Sequence, residues 1–152
     1  MSYVDSILEP GETIRYRTSV SWTIYTPALL LAIGAAIAAV GGARSTHHAT
    51  FWWVGAIVLI VASIVSFIPA WLRRWTTEIA VTDRRIIFKR GLIRRHTIEM
   101  NMQKVESVDV DQSLIGRIFD YGNVAIRGTG SSFETLKMID SPLKLRTTVT
   151  AG

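Results

Sequence analysis

The sequence predicts a membrane α-helical hairpin of two transmembrane helices, joined to a mainly-β domain: an antiparallel half-barrel with a C-terminal helix. Three observations carry this. Two apolar runs, residues 22–43 and 49–72, contain no charge and are separated by a short polar loop. After Leu72 the apolar residues alternate with polar ones, the period of a strand. Turn residues then punctuate the chain every few positions until Ser141-Pro142 opens a last helical stretch.

Each run exceeds twenty residues. At about 1.5 Å of rise per residue, either crosses a hydrocarbon layer of roughly 30 Å. Trp22 and Tyr25 open the first run, Phe51, Trp52 and Trp53 open the second, and Trp71 and Trp75 mark its end. Such rings collect at membrane–water interfaces. Pro27 and Pro69 fall near helix ends, where a missing N–H is least disruptive. Gly34, Ala38 and Gly42 repeat every four residues, as do Ala62, Ser66 and Ala70. These repeats fit a packing seam, within the hairpin or between copies, and equally the ordinary composition of membrane helices. Arg44-Ser45-Thr46-His47-His48 reads as a turn; two adjacent histidines without Cys or carboxylate neighbours do not make a metal site. Arg15, Arg17, Arg73 and Arg74 flank the terminal side against Arg44 alone in the loop. The positive-inside rule then places both termini in the cytoplasm.

The chain has 152 residues, 49% hydrophobic, and no cysteine. Disulfide frameworks and thiol chemistry are excluded. A cleavable signal peptide is a poor fit, because Asp5, Glu9 and Glu12 precede a run that is too long and is followed by another. The expected division is an N-terminal arm over 1–21, the hairpin over 22–72 and a cytoplasmic domain over 73–152. The net charge of +5 is uneven. Residues 73–95 hold eight Lys or Arg against Glu78 and Asp83, whereas residues from His96 onward hold six against seven acidic groups.

In the arm, Glu9-Pro10-Gly11-Glu12 is a turn signal, and Ile14 and Tyr16 alternate with arginines as a short strand that can add to the sheet edge. Strands are predicted over 75–82, 85–90, 93–100, 103–111, 123–127 and 133–139, with turns at Asp83-Arg84, Gly91-Leu92 and 128–132. Ile86 and Phe88 share one face of their strand and Ile87 takes the other. Residues 112–121 break the alternation as a short helical or looped insert. Ser141 reads as an N-cap with Pro142 at the first helical position. The ordered series Glu78-Ile79-Ala80-Val81-Thr82-Asp83-Arg84-Arg85-Ile86, Arg90-Gly91-Leu92-Ile93-Arg94-Arg95, Lys104-Val105-Glu106-Ser107-Val108, Gln112-Ser113-Leu114-Ile115-Gly116-Arg117, Tyr121-Gly122-Asn123-Val124 and Gly128-Thr129-Gly130 closely resembles the bacterial pleckstrin-homology (PH) domain family of YdbS-like membrane proteins. The resemblance covers about residues 9–146. It implies a PH-like fold, a curved antiparallel sheet capped by a C-terminal helix, and an adaptor role. Only ten residues follow Pro142, which is short for that cap.

The functional candidates are two. Arg73, Arg74, Arg84, Arg85, Lys89, Arg94 and Arg95 form a juxtamembrane block that would meet anionic lipid, at roughly 1 kcal/mol per residue close to the surface. The same charges also serve as a topology signal plus solvated strand edges. Leu114, Ile115, Ile118 and Phe119, one helical turn apart, either cap the barrel or form an apolar patch for a protein partner or a second copy. Thr82-Asp83-Arg84-Arg85 reads as a turn, with Arg84 either projecting to solvent or presented to a phosphate. Gly128-Thr129-Gly130 lacks the Lys-Ser/Thr of a phosphate loop. Asp109, Asp111 and Asp120 lack calcium-loop spacing. No catalytic set, cofactor motif, small-molecule substrate site or nucleic-acid signature stands out. The reading is a non-enzymatic membrane-anchored adaptor for lipid contact or assembly; the alternative is an accessory subunit of a larger membrane complex.

Overall fold

The computed structural model describes residues 3–91, 96–129 and 133–151. In chain order its elements are α1 (Tyr3–Ile7), β1 (Ile14–Thr18), a 3-10 turn (Trp22–Tyr25), α2 (Thr26–Arg44), α3 (Ala49–Thr76), β2 (Glu78–Thr82), β3 (Arg85–Arg90), β4 (His96–Asn101), β5 (Val105–Asp111), α4 (Leu114–Ile118), β6 (Tyr121–Gly128), β7 (Phe133–Asp140) and α5 (Pro142–Thr150). Contacts divide the chain into two units, Ile24–Leu72 and, together, Met1–Thr23 with Arg73–Gly152. The N-terminal arm thus folds with the segment beyond the apolar helices.

In the helical unit, the buried or half-buried positions of α2 include Ala28, Leu31, Ala35, Ala38 and Gly42, and those of α3 include Ala56, Leu59, Ser63, Ser66 and Ala70. Both sets step alternately by three and four residues, the spacing of helices packed at a shallow angle. Ala28 meets Ser63, Gly34 meets Leu59 and Gly42 meets Trp53, so the helices run antiparallel. Gly34 and Gly42 of the first small-residue repeat therefore face α3 inside the hairpin. Ser63 Oγ donates to the Ala28 carbonyl at 2.8 Å, an interhelical bond worth roughly 0.6 kcal/mol in a membrane. A Cβ on Gly42 would lie 3.1 Å from Trp53 Nε1 and 3.3 Å from Trp52 Cβ. Gly42→Leu is accordingly expected to weaken the hairpin by about 2 kcal/mol, read as earlier loss of helix–helix contact in detergent melts.

The second unit holds two antiparallel sheets, ordered β1-β2-β3-β4 and β5-β6-β7. The expected half-barrel is realised as these two sheets, linked where Val20 bridges Ile139 and the Ser21 N–H donates to the Met138 carbonyl at 2.7 Å. Ile86 and Phe88 enter the main core with Ile79, Val81, Val124, Leu136 and Ile139. Ile87 faces the other way, packing with Ala80 beneath Val4 of α1. That small helix explains why Ile79 to Thr82 are buried without alternation: β2 is covered on both faces. The arm strand adds to the sheet edge as β1, paired with β2.

Three expectations are corrected. The strand expected from Trp75 begins at Glu78, because α3 runs on through Arg73, Arg74, Trp75 and Thr76, where extending an existing helix is easier than starting a strand. Ser141 adopts φ 46° and makes no side-chain cap; its hydroxyl donates to Asp120 Oδ2 at 2.7 Å instead. The nine-residue α5, though short, buries Leu145 and Val149 in the core and closes it. The Gly91-Leu92 turn past Gly91, the strand start at residues 93–95 and most of the loop at 128–132 lie outside the described residues.

Candidate functional site

The strongest electrostatic feature ties the arm to β3. Pro10-Gly11 reverses the chain, with Gly11 at φ 82°, which brings Glu12 back over the β2–β3 turn. The Glu12 side chain is fully buried and meets Arg85 Nη2 at 2.8 Å and Nε at 3.0 Å. Thr82 Oγ1 donates to Oε1, the oxygen that also accepts from Arg85 Nε, at 2.7 Å, and the Glu9 N–H donates to Oε2 at 2.9 Å. Arg85 holds the Glu12 carboxyl at about 2, against desolvation that pushes it up. The same bonds raise Arg85 above its ordinary value. Arg85 also donates to Glu99 at 2.8 Å and to the Ile7 carbonyl at 3.0 Å, so it ties α1, the Glu12 turn ahead of β1, and β4 to β3. Asp83 does sit in the turn, accepting from the Thr13 N–H at 3.0 Å, and Arg84 pairs with Glu9 at 3.1 Å.

The described residues of the basic block take different settings. Arg84 and Arg85 turn to carboxylates of the arm and sheet. Lys89 is in register opposite Glu78. Arg74 lies in the last turn of α3. Arg94 and Arg95 lie outside the described residues. Arg73 leaves the group in another direction: with Arg90 and Lys137 it borders a cavity of about 200 Å³ whose wall includes Thr77, Phe88 and Leu136. Partial burial and the neighbouring Arg90 charge both disfavour the charged form of Arg73.

Leu114, Ile115, Ile118 and Phe119 do come together, and all four are exposed, between 46% and 78%. They do not cap the core. The one buried residue of α4 is Gly116, and a Cβ there would lie 2.6 Å from the Tyr121 carbonyl. The helix leans on β6 through its glycine and turns its large side chains outward. Phe119 meets Trp22 edge-on at 5.7 Å, extending the apolar surface.

A family model, the bacterial PH domain, matches residues 28–149. The chain belongs to the bacterial PH domain family. Curated proteins and solved structures give no match. The family match takes in nearly all of both apolar helices and runs from β2 through α5, leaving α1 and β1 outside it. PH domains are generally non-catalytic and commonly bind lipids or proteins. Among the described residues of this PH domain no three His, Asp or Glu side chains gather as metal ligands.

Sequence reasoning missed Glu12 as the partner of Arg85, and Arg90, Lys137 and Thr77 as neighbours of Arg73. A signal for the first existed: two carboxylates flank a Pro-Gly turn in an otherwise short arm. Nothing comparable marks the second, whose members come from α3, from the residue joining it to β2, and from β3 and β7.

Proposed function

We propose that this chain is a non-enzymatic adaptor anchored in the bacterial inner membrane by two spans, its PH domain and both termini at the cytoplasmic face. There it contacts anionic headgroups and assembles with other proteins. The observation that carries this reading is the surface of α2 and α3. Their large apolar side chains are exposed, from Trp52 at 39% to Phe51 at 76%, on all sides except the small-residue seam. A helix apolar all round is covered by lipid or by protein. Both helices are long and apolar enough to cross a bilayer. Interfacial aromatics and the Lys/Arg asymmetry support the span and its orientation.

Lipid contact is assigned to Arg73, Arg74, Lys89, Arg94 and Arg95, with Arg84 and Arg85 contributing only the charge left after their carboxylate pairs. Membranes carrying the full chain should retain it through an alkaline carbonate wash and release it to detergent. Release by carbonate alone would rule out the spans. The exposed α4 patch favours a second reading, an accessory subunit docked through Leu114, Ile115, Ile118 and Phe119. A stoichiometric partner that co-purifies in mild detergent, and is lost on Leu114→Ser with Ile118→Ser, would establish it.

A further inference from the structure

Among the described side chains, Arg17, Arg84, Arg85 and Arg127 each pair with a carboxylate. Arg73, Arg90 and Lys137 are in none of these pairs, and all three line one cavity of about 200 Å³. That volume far exceeds the roughly 10–15 Å³ that one water needs. Its wall is partly apolar, through Phe88 and Leu136, which weakens solvent screening of the three charges. Thr77 also lines the cavity. It is 3% exposed, and its Oγ1 is the buried side-chain polar atom, among those described, without a hydrogen-bond partner. Such a group is normally satisfied.

We propose that this cleft binds one phosphoryl group, carried either by an anionic lipid headgroup or by a free phosphate compound. Two guanidinium forks and an ammonium match a phosphoryl group's several acceptor oxygens. An anion held between Arg73 and Arg90 turns their mutual repulsion into shared attraction. A small movement of the wall lets the Thr77 hydroxyl donate as well. The site differs from the juxtamembrane block, since Arg90, Lys137 and Thr77 act here with Arg73 alone of that group. Its lipid form rests on the membrane reading above; its phosphate form does not.

The test uses the full chain in a neutral detergent. One arm offers equal amounts of phosphatidylglycerol and phosphatidylcholine and counts retained lipid by native mass spectrometry. The other titrates inorganic phosphate at constant ionic strength and follows Tm, which a bound ligand raises. One ligand per chain is expected in at least one arm. Arg90→Gln with Lys137→Gln should weaken it at least tenfold. Thr77→Val should weaken it severalfold while leaving the ligand-free Tm unchanged or higher, since it removes an unpartnered hydroxyl. Lys144→Gln with Arg146→Gln, equal in charge change but on α5, should have no effect. Selective phosphatidylglycerol retention assigns the headgroup; a Tm rise with phosphate alone assigns the free compound. No ligand in either arm, or equal loss in the α5 pair, overturns the proposal. Carbonate extraction reports on the spans separately, so the two readings fail independently.

Discussion

Glu12→Ala is expected to destabilise the sheet unit by about 3 kcal/mol, the scale for removing one partner of a buried ion pair. Arg85 would keep Glu99 at 2.8 Å and Glu9 at 3.7 Å, but its buried nitrogens would lose both of their Glu12 bonds. Thr82 would lose an acceptor as well. The consequence reaches beyond the pair, because the same turn holds α1 and β1 on the sheet. Once the arm detaches, Val4 no longer covers Ala80 and Ile87. Hydrogen exchange should therefore speed up first in β1 and along the β1 edge of β2. Thermal melts should shift down together with that change; an unaltered melt with a protected β1 would contradict the argument.

The same residue predicts a pH dependence. The folded Glu12 carboxyl is held at about 2, below the 4.5 of an unperturbed glutamate. Its ionisation thus stabilises the fold fully above about 4.5. As pH falls toward 2 the unfolded chain takes up a proton that the folded chain refuses, and this contribution is lost. Glu12→Gln should remove that part of the acid slope while retaining most of the side chain's shape. An acid slope identical in both proteins would assign it to other groups.

How much of this was legible in the sequence depends on the range of each interaction. β3 was readable to its ends because alternation is local and Asp83-Arg84 and Gly91 bracket it. The hairpin was readable because an uncharged run of twenty residues has few other uses. α1 was not, since a five-residue helix offers only Val4 and Ile7 as an apolar pair, too short for a period. The Glu12–Arg85 clamp joins residues 73 apart, and charge counting cannot tell a paired guanidinium from an unpaired one. At α4 the spacing of Leu114, Ile115, Ile118 and Phe119 suits a cap and a surface patch equally. What decides between them is the close approach of Gly116 to the Tyr121 carbonyl, which only the packing of α4 on β6 reveals. Likewise Arg73 read as one more juxtamembrane charge until β3 and β7 brought Arg90 and Lys137 beside it.

Val61→Arg carries the second large effect. Val61 lies at the middle of the uncharged stretch of α3, on its exposed side. If bilayer surrounds the helix, an arginine there disfavours insertion by about 3 kcal/mol. The fraction of chain resisting carbonate extraction should fall accordingly, and a glycosylation tag in the 44–48 loop should report loss of the hairpin. Were the helix facing water, the same change would alter stability by no more than about 0.5 kcal/mol and would raise solubility. Depth supplies the control. Phe51→Arg changes an equally apolar, exposed side chain near the start of α3, where a long cationic side chain can reach the headgroup layer. Insertion should tolerate it far better than Val61→Arg. A water-facing helix would show no such difference between the two positions, and a helix covered by a protein partner would follow the contours of that partner instead of distance along its own axis. A dependence on depth, more than either loss alone, would identify lipid as what covers α2 and α3.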